Sequence, residues 1–195
     1  MTSIREKWLT EVARLLTVEF KDEGLVPMPY RVTVGFPSAR GLSKSRRVMG
    51  ECWAAEASTD GTREIIISIT VDDKDEAVGI LAHELIHACF PIGVKHGRPF
   101  KQVARAIGLE GPLRSTTAGE EFIKRIQWIY EQVGSYPHAA LNPNVRKKQS
   151  TRMLKVTCPC CGYTVRMSKK WALLALPACP VEECDNANQT MELCA

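Results

Sequence analysis

The stretch His83-Glu84-Leu85-Ile86-His87-Ala88-Cys89-Phe90-Pro91-Ile92-Gly93-Val94-Lys95-His96-Gly97-Arg98-Pro99-Phe100 holds three of the four histidines of this 195-residue chain. The acids just before it, Asp72, Asp73, Asp75 and Glu76, suit a helix N-terminus, and Val78, Leu81, Leu85 and Ile86 recur at helical intervals. The pattern predicts one helix from about Asp73 to Cys89. Residues four apart share a helix face, so His83 and His87 present two imidazoles to one point with Glu84 beside them. Pro91 and Gly93 break the helix, which lets His96 turn back toward it. Pro99 is placed to open another helix running to about Leu109.

Outward from this stretch, Ile4, Trp8, Val12, Leu15 and Leu16 mark an amphipathic first helix that reaches about Phe20, with Ser3 to Glu6 in capping-box form. Arg31–Pro37, Val48–Ala55 and Glu64–Val71 read as three strands, with a basic loop over 38–47 and a turn at Asp60-Gly61. Short connections predict that this small sheet is antiparallel. A last helix follows Gly119 with Phe122, Ile126, Trp128 and Ile129 and ends near Gly134. Trp8, Trp53 and Trp128 are expected in the core, and His138 is expected to be structural or exposed.

Hydrophobic residues make up 45% of the chain, enough for a packed core. No window approaches the roughly 18 uncharged apolar residues that span a bilayer, and the start is charged and helix-patterned where a signal peptide needs an apolar segment. A cytosolic protein without membrane partners is expected. There, eight cysteines read as metal ligands or buried thiols sooner than disulfides. Cys52 and Cys89 stand alone, whereas Cys158, Cys160, Cys161, Cys179, Cys184 and Cys194 crowd the last 38 residues. The net charge of +4 is also uneven: 142–195 hold 8 basic and 4 acidic residues, and the rest is neutral. The proline- and asparagine-rich segment 135–151 reads as a linker, dividing a domain over 1–134 from a small one over 152–195.

His-Glu-x-x-His is the arrangement of zinc peptidases. A catalytic zinc takes three protein ligands and keeps a fourth position for water. His96 is the favoured third ligand, with Glu110 as a weaker rival. Glu84 is the general base that takes the water's proton and returns it to the leaving amine. Arg98 and Tyr30 are the chemical candidates for stabilising the oxyanion. A cysteine reaching the metal would close it, and Cys89 is the residue to watch.

The His83–Phe90 run followed by His96-Gly97-Arg98-Pro99-Phe100, preceded by the Glu64–Ile69 strand, resembles the SprT-like zinc metallopeptidases, a family that includes the eukaryotic Spartan proteases. The likeness covers about 31–131. It implies an α+β zincin-like domain with the histidine motif on a central helix, zinc on His83, His87 and His96, and Glu84 as the catalytic carboxylate. Many members continue into a zinc ribbon, and Thr157–Cys184 resembles one: Cys158 and Cys161 form a first pair, Cys179 and Cys184 a second, with Cys194 the substitute for Cys184 and Cys160 a spectator. The chain thus implies two zinc ions, one catalytic and one structural. Arg146, Lys147, Lys148, Arg152, Lys155, Arg166, Lys169 and Lys170 are cations without an acid among them, and Tyr163 and Trp171 offer rings to stack on bases. The expected function is an endopeptidase acting on DNA-associated proteins and recruited by its ribbon. The compact size is similar to SprT-like proteins of bacteriophages, which would place it in a host cytoplasm. The alternatives are a non-enzymatic, transcription-related nucleic-acid-binding zinc protein and a virion or assembly protein.

Overall fold

A computed structural model of the chain describes residues 4–43, 45, 47–91, 93–145 and 153–194. The chain divides into two compact units, one ending at Asn144 and the other beginning at Val145. Both are built from helices and small sheets, so the fold is mixed α+β. No helix among the described residues is long and apolar enough to cross a membrane.

The first helix, α1 (Ile4–Asp22), buries Leu9, Val12, Leu16 and Phe20 completely, one residue per turn along a single face. Gly24 ends it at φ +74°: its N–H donates to Lys21 O at 2.9 Å and that of Leu25 to Phe20 O at 2.9 Å, the paired bonds of a Schellman cap. The sheet contains β1 (Tyr30–Gly35), β2 (Gly50–Cys52) and β3 (Arg63–Ser68) in the order β1-β3-β2.

The expected antiparallel sheet is corrected here: β2 and β3 are antiparallel, but β1 and β3 are parallel. The chain does reverse at each connection. However, the loop over 36–49 leaves a strand's width between β1 and β2, and β3 enters that gap, so its second neighbour runs its own way. In the centre, β3 buries Ile65 and Ile67 fully against the helices; each such side chain contributes roughly 1.5–3 kcal/mol relative to exposure.

The central helix α2 (Lys74–Ala88) starts where Asp73 Oδ1 accepts from Glu76 N at 2.8 Å. It is buried on nearly every side and packs on α1, β2 and β3. After it come α3 (Arg98–Ala106), β4 (Leu109–Glu110) paired with β5 (Thr117–Ala118), α4 (Glu120–Arg125) and α5 (Gln127–Val133). Gly79 lets β5 cross α2 closely, since a Cβ there would sit 3.0 Å from Ala118 N. The single helix expected after Gly119 is two, broken at the buried Ile126.

Of the segment 135–151 read as a linker, 135–144 belong to the first unit, and 146–151 lie outside the described residues. Tyr136 is buried, its ring centroid 4.8 Å from that of Trp8; His138 Nε2 donates to Ile69 O at 3.0 Å, and Leu141 N to the same oxygen at 2.9 Å. Apolar contact thus overrides the linker-like composition. Trp53, expected in the core, is 40% exposed, whereas Trp8 is buried and Trp128 half-buried with Nε1 donating to Glu19 at 3.0 Å.

In the second unit β6 (Leu154–Thr157) lies between β7 (Thr164–Met167) and β8 (Glu192–Leu193), all antiparallel, with a short helix α6 (Lys169–Leu174). Its buried cluster is Val156, Cys158, Cys179, Cys184 and Met191.

Two candidate metal centres

On α2, His83 and His87 lie one turn apart, and the chain after Pro91 returns His96 to them. Nε2 of His96 is 3.1 Å from Nε2 of His83 and 3.2 Å from Nε2 of His87. Three nitrogens on a tetrahedral ion at about 2.0–2.1 Å are separated by about 3.3 Å, so this spacing fits a metal such as zinc. His83 Nδ1 is 2.7 Å from Thr116 Oγ1; with the proton on Nδ1 donating to Thr116, the Nε2 lone pair points at the shared centre. Burial holds His83 down to about 3 and His87 to about 4, helped by neighbouring imidazoles, and burial together with Arg114 lowers His96. All three rings are therefore neutral near pH 7, the form that ligates.

Phe100 explains the last residue of the quoted stretch. Fully buried in the first turn of α3, its ring centroid lies 4.8, 4.6 and 4.9 Å from those of His83, His87 and His96. It is a common wall for the three ligands.

Glu84 is buried beside this cluster and lies over β2 at Gly50, where a Cβ would come within 2.6 Å of Glu84 Oε1 and 2.4 Å of Ile80. Burial, reinforced by Glu51, pushes its carboxyl up to about 8, against the opposing Cys52 backbone N–H. A groove of about 870 Å3 exposes Glu84 and the three histidines along with Arg63, Lys95 and Arg114. A second hollow of about 890 Å3 reaches Glu84 from the β5 side, lined by Met49, Ile80 and Ala118 among others. An extended chain therefore has room on both sides of the carboxyl.

Several sequence candidates lie elsewhere. Tyr30 is not among the residues that line the groove, and Arg98 lines a neighbouring trough; the cations at the groove are Arg63, Lys95 and Arg114. Buried Arg63 donates to Phe90 O at 3.0 Å. Glu110 is outside the histidine cluster, and Cys89 Sγ turns to Leu85 O at 3.3 Å. Thr116, Gly50 and Arg63 had no motif to announce them, whereas Phe100 closes the His96–Phe100 motif without its role being legible there. Thr116 is 33 residues from His83 in sequence, and only the β4–β5 turn places it.

In the second unit Cys158, Cys161, Cys179 and Cys184 bring their sulfurs within 4.8 Å of one another. The pairs Cys158–Cys184 and Cys161–Cys179 are 3.8 and 3.6 Å apart, against about 3.8 Å for a tetrahedron of sulfurs at about 2.3 Å from a zinc ion. Backbone N–H groups of Cys161 and Cys160 lower the Cys158 thiol, toward the thiolate a metal requires, whereas, against the Asn186 backbone N–H, burial and the neighbouring thiols raise Cys184. Gly162, at φ +76°, donates to Cys158 O at 3.1 Å and tightens the turn. Cys194 is exposed and bonds Thr157 Oγ1 at 3.1 Å, so Cys184 is the fourth member; Cys160 is exposed.

Comparison of the chain with protein-family models, with curated proteins and with solved structures found no match. What can be said of the site rests on its own atoms.

Of the expected nucleic-acid residues, Arg146, Lys147, Lys148 and Arg152 lie outside the described residues. Lys155 and Arg166 face each other across β6 and β7, both exposed. Lys169, Lys170 and Trp171 are exposed on α6, with Lys170 Nζ 4.8 Å over the Trp171 ring, and Tyr163 is also exposed.

Proposed function

We propose that the chain is a zinc-dependent endopeptidase of the SprT-like kind, acting in the cytosol on DNA-associated proteins. The observation that carries this reading is the convergence of three neutral imidazoles beside a buried carboxyl at an open groove. His83, His87 and His96 would hold zinc, which when bound polarises the scissile carbonyl and acidifies water. The chain's own residues do the rest. Thr116 fixes the His83 ring and Phe100 backs all three imidazoles; Glu84, its carboxyl raised toward the working pH of a group that both accepts and returns a proton, takes the water's proton in its ionised form and delivers it to the departing amine.

An adaptor with two structural metals is disfavoured by Cys89, whose thiol bonds Leu85 O, so that three histidines among the described residues would hold a metal there. We assign the four cysteines a structural zinc and the ribbon's exposed cations and Trp171 a role in DNA recruitment. The substrate class follows from the family resemblance.

The test compares wild type with Glu84→Gln and Glu84→Ala on DNA-bound and free proteins. Turnover should fall by about 10²–10⁴-fold in both variants while zinc content stays unchanged. Equal cleavage by all three chains would exclude the assigned chemistry.

A further inference from the structure

Beyond His96 and Gly97, which line both spaces, the groove continues into a trough of about 670 Å3 bordered by Arg98, Lys101, Gln102, Arg105 and Leu113. Arg98, Lys101 and Arg105 are spaced to share one face of α3, and Lys95 and Arg114 stand at the adjoining end. All five cations are exposed. None enters any ion pair found among the described residues. The Arg105 guanidinium donates to the carbonyls of Leu109 and Gly111, which hold it in place without cancelling its charge. Glu110, an acid close by in sequence, lies over Gly119, where a Cβ would be 2.4 Å from its Oε1.

Five uncompensated like charges on one small surface repel one another, a cost that a multivalent anion removes. The lining selects among anions. Among the described residues that line it, Leu113 is the only large apolar side chain, and the one aromatic ring is the His96 imidazole. The hollow beside Glu84, with Met49 and Ile80, offers more apolar surface. A cationic trough with one imidazole, His96, at its end suits a phosphodiester backbone held chiefly through its phosphates.

We propose that the α3 face is a second nucleic-acid site, binding the phosphates of a single strand that runs past His96, separate from the ribbon. The site stands whether or not the chain hydrolyses peptides.

The test uses the full chain and a fluorescently labelled oligothymidylate titrated over a range of salt. Arg98→Ala/Lys101→Ala should lower the slope of log affinity against log salt by about 1.4, at about 0.7 per lost phosphate contact. Affinity at low salt should fall about tenfold or more. Arg98→Lys/Lys101→Arg should keep the wild-type slope, with melting curves of both variants matching wild type. An unchanged slope in the alanine variant overturns the proposal, as does an equal loss in the charge-conserving one, which would mark a structural effect. Poly-glutamate at matched charge should displace the strand poorly; displacement as effective as by unlabelled oligothymidylate would assign the face to acidic polypeptides instead.

Discussion

Among the described residues of the first unit, 27 apolar side chains form the buried cluster, and of the three clustered histidines only His83 is buried. In the second unit the buried cluster has five members, of which three are cysteines of the candidate metal site. The histidine centre is set into a core that exists without it. The cysteine centre supplies most of the core around it. The same kind of ion would therefore do different work in the two places, poising chemistry in one and holding the backbone together in the other.

The largest expected consequence is selective unfolding. Stripping metal with a chelator, or substituting Cys161→Ser with Cys179→Ser, should remove folding energy on the order of 10 kcal/mol from the second unit. Amide spectra should then show the residues from 153 to 194 collapsing to unstructured positions while those of α1, α2 and β3 persist. If both units melt together on chelation, the contrast fails.

A smaller effect is expected at Thr116. Thr116→Val removes the hydroxyl that positions His83 Nδ1 and should weaken metal binding at the histidine centre by about 10–100-fold, with Thr116→Ser restoring most of it. The cysteine centre should be untouched. Competition with a chromophoric chelator reads both sites in one titration, and a loss at the cysteine site would break the comparison.

The smallest effect at neutral pH concerns the metal-free first unit. The folded pKa values of His83 and His87, about 3 and about 4, lie below the ordinary 6.5, so the unfolded chain binds more protons between these limits. Stability should accordingly be full above about 6.5, fall as pH drops through that window and level off below about 3. Urea titrations of chelated protein followed by Trp8 fluorescence test the sign; a unit that grows more stable on acidification contradicts it.

What the sequence made legible was what repeats or lies close together. His83 and His87 follow from helical period, His96 from the break at Pro91 and Gly93, and the cysteine pairs from the resemblance to a zinc ribbon, with Cys194 still open as the substitute for Cys184. The α2 N-cap at Asp73 and the entry of α3 at Pro99 are also local. The hidden parts depend on distant segments meeting. Nothing in Arg63–Ser68 says that it inserts between β1 and β2, and nothing in Thr116 says that it meets His83. Tyr136 sits among prolines and polar residues, so its packing on Trp8 could not be read from composition. Gly50 resembles any other glycine until Glu84 is placed above it.

The shared contact of Phe100 with three imidazoles has a spectroscopic consequence. Its ring current reaches His83, His87 and His96 from nearly equal distances, so the imidazole proton resonances form one magnetically linked set. A slight tilt of α3 would shift all three together, whereas rotation of a single ligand would shift one, which makes the aromatic signals a gauge of whether the site moves as a rigid body or in parts.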